Sequence, residues 1–409
     1  MRIVVVTYGT EGDARPLAAL CGALLNSGHE PRLLADRGTL GAAESLGIST
    51  TALAGDIRAA LQPNGSIAGV VAKGSGFASV ATALARIANA SAESWMKEIV
   101  AAGRDCDAVV VSGLAAFVGL SAAEYLRVKA IGTGFIPITP TSEFPSPFLP
   151  PTLPHFLNHA SHVMVNGILW HAFRKATNAA RARVCGLPPR RKGWTSHPML
   201  YGISPSLVPR PNDWPDNALL CGQWVPPAPQ WSPPRALSEF LAAGEPPMYV
   251  GFGSMSGFDR PQLLNALIGA VAGRRALFYP GWSGVHRDEL PDNFFLIGDT
   301  PHGWLFPKTS LVIHHGGSGT SHSAARAGVP SVVVPFTGDQ HFWASRLTRI
   351  GVAPEAVKGR RLRAAALARG IESAGNEGVR SNARAVAERM REETGLRSAV
   401  AAIEAILRR

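Results

Sequence analysis

Short apolar runs of four or five residues, rich in valine and isoleucine, alternate along the first part of the chain with longer stretches of helical spacing. Residues 3–7 (Ile-Val-Val-Val-Thr) form one such run. A glycine-containing turn follows at 9–13, then a helical pattern over 15–27 closed by Gly28, a residue suited to a helix C-cap. The same reading predicts strands at 31–35, 108–111 and 129–133 and a helix at 115–127. Strands that alternate with helices predict a parallel sheet.

The alternation breaks twice. Residues 137–154 are proline-rich and irregular, yet they carry Phe144, Phe148, Leu149 and Leu153, so a functional loop is expected there rather than disorder. Helical character returns over 155–183. Between 205 and 234 the chain holds nine prolines, which excludes helices and central strands and predicts a connection between domains. Beyond it, strands are expected at 248–252, 276–279, 294–297, 311–314 and 331–335, with a helix at 261–272 and an arginine- and alanine-rich helical pattern to the end. The expected organisation is a first α/β domain over 1–212, a linker over 213–235 and a second α/β domain over 236–388. A C-terminal helix over 389–409 is placed to pack back on the first domain. Two such halves imply a cleft, and in these sheets ligands bind beyond the carboxyl ends of the strands.

Composition narrows the field. At 409 residues, 46% hydrophobic and 17% charged, the chain has room for two or three cored domains and is not disordered. Its cysteines (Cys21, Cys106, Cys185, Cys221) are scattered without a CxxC pair, which argues against a disulfide framework or a cysteine metal site and fits a reducing compartment. The N-terminus enters the first strand pattern with no apolar signal region, so a cytoplasmic chain is the expectation. The uncharged spans 108–123 and 144–173 are broken by Ser112, Gly113 and Gly119, or by prolines and histidines, and do not read as bilayer segments. The net charge of +11 is spread over the chain without a dense basic run, so nucleic acid is not an expected partner. Such a charge still attracts nucleotides or an acidic membrane face.

The chemistry gathers at the strand ends of the second half. The strand at 311–314 runs into His315-Gly316-Gly317-Ser318-Gly319-Thr320, followed by a short helix stopped by Gly328 and Pro330. Glycines let the backbone approach a ligand, and free amides at a helix start favour anions. Ser318 and Thr320 add hydroxyls, and His315 can hydrogen-bond a phosphate. These are the requirements of a pyrophosphate site; the alternative is a glycine-rich turn beside a core histidine. The next strand ends in Pro335-Phe336-Thr337-Gly338-Asp339-Gln340. There Asp339 can accept and Gln340 can donate and accept hydrogen bonds with sugar hydroxyls, unless the pair only caps a helix. Trp304, in His302-Gly303-Trp304-Leu305-Phe306-Pro307, can stack on a nucleobase while Leu305 offers its backbone to the base edge. Core packing competes for Trp304.

Taken together, these motifs resemble the donor signature of nucleotide-sugar-dependent glycosyltransferases of the GT-B fold, in which two Rossmann-like parallel-sheet domains face each other across a cleft. The resemblance covers nearly the whole chain. Gly9-Thr10-Glu11-Gly12-Asp13-Ala14-Arg15-Pro16 looks like the family's first loop. Pro140-Thr141-Ser142-Glu143-Phe144-Pro145, Val208-Pro209-Arg210-Pro211-Asn212-Asp213-Trp214 and Pro301-His302-Gly303-Trp304-Leu305-Phe306 are similar to the branch with the microbial sterol glucosyltransferases. Vancomycin-type antibiotic glycosyltransferases are close relatives of that branch.

The resemblance implies an inverting transfer with no metal and no bound cofactor, the nucleotide diphosphate sugar being a co-substrate. No DxD carboxylate pair is placed to hold a divalent ion. The leaving diphosphate would be met by the helix start, by His315 and by Ser254 in the Gly253-Ser254 loop. Many relatives carry a histidine base in the first loop; here Gly12 stands at that place, on the acceptor side, and Asp13 beside it is the expected base. A helix-capping role is the alternative for Asp13, and Glu11 is the weaker candidate base. Plant relatives place a ribose-binding glutamate eight residues after the motif histidine, where this chain has Ser323. That is compatible with a dTDP-sugar or with a UDP-sugar held differently, and UDP-glucose is favoured. Phe135, Phe144, Phe148, Trp170 and Phe173 are expected to wall a site for a lipophilic alcohol such as a sterol or an aglycone. Nearby Arg174, Lys175, Arg181 and Arg183 would suit anionic lipid, the alternative being an ordinary core helix pair with a solvated basic face. Two other classes compete with this reading. A nicotinamide oxidoreductase would use Gly251-Phe252-Gly253-Ser254-Met255-Ser256-Gly257, but its third glycine falls one place late and no acidic residue ends the strand at 276–279. A catalytically silent homologue would not need Asp13, His315 and Asp339-Gln340 intact.

Overall fold

A computed structural model describes residues 1–61, 77–225, 231–253, 255, 259–359 and 362–408, with the backbone alone for 61 and 77–83. Seven strands form the first sheet: β1 (Arg2–Val6), β2 (Glu30–Asp36), β3 (Ser49–Leu53), β4 (Ala108–Val111), β5 (Lys129–Gly134), β6 (Met199–Tyr201) and β7 (Ala218–Leu220). All pair in parallel, in the order β3-β2-β1-β4-β5-β6-β7. The second sheet holds β8 (Met248–Gly251), β9 (Ala276–Tyr279), β10 (Phe294–Leu296), β11 (Leu311–His314) and β12 (Ser331–Val333), parallel in the order β10-β9-β8-β11-β12. Strand order reverses between β1 and β4 in one sheet and between β8 and β11 in the other. The loops leaving each such pair diverge and open a crevice.

Both faces of each sheet are covered, which is why the strands read as unbroken apolar runs. Successive side chains of β1 alternate between faces. Val4 and Val6 join a core with Trp95 and Met96 of α2 (Phe77–Ala102), Val118 of α3 (Ala116–Leu126) and Phe173 of α4 (Asn158–Cys185). Ile3 and Val5 join the opposite core with Leu17 and Leu20 of α1 (Glu11–Asn26). In the second domain Val250 and Ile313 face α5 (Arg260–Val271), whereas Tyr249 and Val312 face Leu305 and Phe306. Three further helices lie at the carboxyl end or beyond: α6 (Ser318–Ala327), α7 (Gln340–Arg349) and α8 (Glu377–Glu392).

The domains share buried surface. Tyr201 and Trp214 of the first pack with Phe342 and Trp343 of α7 and Met390 of α8. The last helix, α9 (Gly395–Arg408), buries Ala399, Val400 and Ile403 in the core beneath α1. Glu393, just before it, accepts hydrogen bonds from the hydroxyls of Ser204 and Ser206 at 2.6 and 2.8 Å.

Several elements have no counterpart in the expectations, among them β3, α2, β6, β7 and the short helices Gly41–Glu44 and Arg235–Ala242. The proline-rich stretch expected as linker contains β7, so the first sheet continues beyond residue 212. β7 is an edge strand, and prolines outside an edge strand remove no hydrogen bond that the sheet needs. Among the described residues no helix is long and apolar enough to cross a membrane.

Candidate active site

The crevices of the two sheets meet in one cleft of about 3270 Å³. On the first domain's side β1 turns through Gly9 into α1, which places Asp13 in the first helical turn. The Thr10 amide donates to Asp13 Oδ2 at 2.9 Å, so the carboxylate caps its own helix. It also folds back over Gly9: a Cβ there would stand 2.2 Å from Asp13 Oδ2, so only glycine leaves the space. Capping does not exhaust the group, since a carboxylate accepts several hydrogen bonds. Burial pushes Asp13 up to about 6, and hydrogen bonds from Thr10 pull in the other direction.

Opposite stands the turn after β11. Buried His314 accepts the Gly316 amide on Nδ1 at 3.1 Å, which holds the turn. Gly316 has φ +90°, and a Cβ would lie 2.8 Å from Val333 Cγ1 and 2.9 Å from the Gln340 carbonyl oxygen. His315 is wedged between two more glycines: a Cβ on Gly253 would come within 3.1 Å of its Cε1, and one on Gly317 within 2.6 Å of its Nε2. Burial lowers His315 to about 4, so its ring is neutral at pH 7. Gly317, Ser318, Gly319 and Thr320, at the start of α6, all line the cleft. There the first amides of the helix have no partner within it. Within α6, His322 donates from Nδ1 to the Ser318 carbonyl at 2.8 Å and accepts the Ser204 amide on Nε2 at 3.1 Å, which ties this turn to the first domain.

Asp339, just before α7, accepts from Trp343 Nε1 at 2.8 Å. Burial raises it to about 6, to which the charge of Asp13 adds, and both carboxylates line the same cleft. Gln340 is committed elsewhere. Its Oε1 accepts the Phe336 and Thr337 amides at 2.8 and 3.1 Å, and its Nε2 lies 3.2 Å from Met255 Sδ. It therefore braces the loop, although it borders the cleft, and Asp339 is the member of the pair with acceptor capacity to spare.

Trp304 lines the cleft, edge-on to Trp231 at 4.9 Å with Lys308 Nζ 4.1 Å over its ring. Leu305 has its side chain fully buried in the second domain, and its amide donates at 3.0 Å to the carbonyl of Pro301, the cap of the one-turn helix His302–Leu305, so the amide is already engaged. Ser254 lies outside the described residues.

On the acceptor side Gly12, Phe135, Phe148, Trp170 and Phe173 line the cleft. Phe117 gathers Trp170 and Phe173 at 5.2 and 5.4 Å, and Trp194 stands 5.7 Å from Trp170, so the wall is more aromatic than expected. Phe144 is not part of it. Its ring packs against Phe342 at 5.4 Å and His162 at 5.9 Å, in the core between the domains. Sequence reasoning also missed a bridge over the cleft: Arg15 donates to Asp299 at 3.2 and 2.5 Å while holding Glu11 at 2.7 Å. Partners 284 positions apart leave no local signal.

Two facing parallel-sheet domains with this cleft constitute the GT-B fold, the architecture of many glycosyltransferases. Glycosyltransferase VinC, solved in complex with DTDP, superposes over all of both chains with a TM-score of 0.72 at 19% identity. SnogD from Streptomyces nogalater matches over 99% of each chain with a TM-score of 0.66 at 21% identity. Residues 278–405 match the family model described as the erythromycin biosynthesis protein CIII-like, C-terminal domain. The chain is a homologue of sterol 3-beta-glucosyltransferases. That of Neurospora crassa is 31% identical, with 86% of this chain and 24% of the relative aligned. UGT80A2 of Arabidopsis thaliana is 28% identical, with 98% of this chain and 65% of the relative aligned. The chain thus spans a quarter to two thirds of the length of these curated relatives.

Proposed function

We propose that the chain moves a hexose, with glucose favoured, from a nucleotide diphosphate sugar to a hydroxyl of a lipophilic small molecule of the sterol or natural-product aglycone class. The observation that carries this reading is the meeting of Asp13 and the His315 turn in one cleft, each at its own sheet's switch point, with an aromatic wall on the Asp13 side.

In the proposed reaction the acceptor oxygen attacks the anomeric carbon and yields its proton to Asp13. The bond from that carbon to the diphosphate breaks on the opposite face, which inverts the centre. A base near 6 is better matched to this task at neutral pH than an exposed aspartate near 3.9. The departing diphosphate is met by the start of α6 and by neutral His315 as a donor, so no metal is required. Asp339 accepts from sugar hydroxyls, and Trp304 stacks on the base. UDP is the favoured nucleotide because of the likeness to the sterol branch, although Ser323 leaves the ribose without a carboxylate partner.

The test offers UDP-glucose and dTDP-glucose, each with a panel of 3β-hydroxysterols and flat aglycones, and follows glycoside formation by mass spectrometry. An acceptor-dependent glycoside of inverted configuration, formed equally with chelator, is expected. Nucleotide release that no acceptor stimulates would overturn the acceptor assignment, and loss of transfer in chelator would overturn metal independence.

A further inference from the structure

Most of the large apolar side chains exposed on the described surface stand together. Phe156 is 82% exposed, Val163 54%, Met164 50% and Leu157 37%, whereas Met1, Leu25 and Tyr125 are scattered. The cluster occupies the turn before α4 and that helix's first turns. Down the exposed face of α4, Ala160, Val163, Met164 and Gly167 are succeeded by His171, Arg174 and Lys175. Spacing of three and four residues aligns them in one stripe, apolar at one end and basic at the other.

The charge of this region is one-sided. From residue 144 to 212 the chain has no aspartate or glutamate and eight lysines and arginines. Arg181 and Arg190 are paired with Glu124 and Arg183 with Glu93. Arg174 and Lys175 are exposed on the stripe, and Arg191 and Lys192 are exposed where they border the cleft. A protein partner for an apolar patch is ordinarily matched by polar groups of both signs at the rim. Apolar side chains next to unopposed cations match instead an anionic lipid surface, with the rings and thioether below the headgroups and the cations among them.

We infer that the turn 155–157 and the outer face of α4 seat the protein on an anionic bilayer. Phe148, Leu149, Pro150, Pro151, His159 and Val163 line the cleft next to this patch. A protein so seated therefore opens its cleft at the depth where lipophilic alcohols concentrate. Only that last consequence rests on the proposed transfer; binding to lipid does not.

The experiment is co-sedimentation of the full chain, without donor or acceptor, with vesicles of phosphatidylcholine alone and with vesicles containing phosphatidylglycerol, at low and at physiological salt. Stronger partition onto the anionic vesicles, weakened by salt, is expected. Phe156→Ser with Met164→Ser should lower that partition by at least about tenfold. Arg174→Ala with Lys175→Ala should lower it by about fivefold for each charge removed at low salt. Neither pair lines the cleft, so thermal melting and vesicle-free turnover should stay at parent values. Equal partition onto both vesicle types, or parent-like binding by both double variants, would overturn the inference. So would a concentration-dependent dimer that the Phe156→Ser, Met164→Ser variant abolishes, since the patch would then serve a second copy. Glycoside formation in detergent-free buffer is measured in parallel, so loss of lipid binding with transfer intact separates the two proposals.

Discussion

Replacing Asp13 by asparagine keeps the shape of the side chain and an oxygen for the Thr10 amide while removing the charge. Burial lifts the group from 3.8 to about 6, an interval worth about 3 kcal/mol at neutral pH in a dry site. Asp13 is only half-buried and faces the cleft, so about 1 kcal/mol is expected. The sign follows from the raised value. The folded protein holds this proton more tightly than the unfolded chain, so the destabilisation is absent below about pH 4, grows towards pH 6 and is complete above it. Asp13→Asn should therefore melt at or slightly above the parent at pH 7, and the difference should vanish near pH 4. Its turnover should fall about a thousandfold, the range of a lost general base, with nucleotide affinity unchanged. The parent's kcat/KM should rise with pH through a midpoint near 6, where the base loses its proton, and the variant should lack that limb. The assays are differential scanning calorimetry at the two pH values, nucleotide titration calorimetry and a pH series of transfer rates. Turnover within about threefold of the parent, or an unchanged acid limb, would remove Asp13 from the chemistry.

Three other perturbations test the geometry around it. Gly9→Ala places a methyl 2.2 Å from Asp13 Oδ2, so the carboxylate must swing away; transfer should fall by about a hundredfold with donor affinity near normal, read by initial rates and calorimetry. Gly316→Ala meets positive φ together with Val333 and the Gln340 carbonyl, and should cost about 2 kcal/mol or more in urea unfolding while nucleotide binding is lost. Arg15→Ala cuts the bridge to Asp299, whose partners are both well exposed; melting should move by less than about 1 kcal/mol, while small-angle scattering should report a wider cleft.

The strands of the two sheet centres were legible because β1 after Arg2, β4, β8 and β11 are buried on both faces and are dominated by apolar residues. The peripheral strands were not. β6 and β7 have three residues each, too few to show a period, and β7 lies among prolines that only an edge position tolerates. The glycine turn after His314 was readable for a similar local reason: its shape depends on residues that are neighbours in the chain. Motif position suggests the ligand for the Leu305 backbone, Gln340 and Phe144, yet the Leu305 amide and Gln340 Oε1 have local partners and Phe144 lies in the core. Motif position names a segment, whereas the orientation of each side chain within it is settled by packing.

By itself the sequence determined two α/β halves, the phosphate-type turn and the candidacy of Asp13, because each depends on burial pattern or on contiguous residues. The tertiary structure alone decided that Asp13 and Asp339 share one cleft, that Arg15 reaches Asp299, that Phe117 and Trp194 complete the aromatic wall and that Glu393 leads the last helix back beneath α1. These contacts join residues far apart in the chain. Their strength comes from desolvation and proximity, which exist only once the chain has closed on itself.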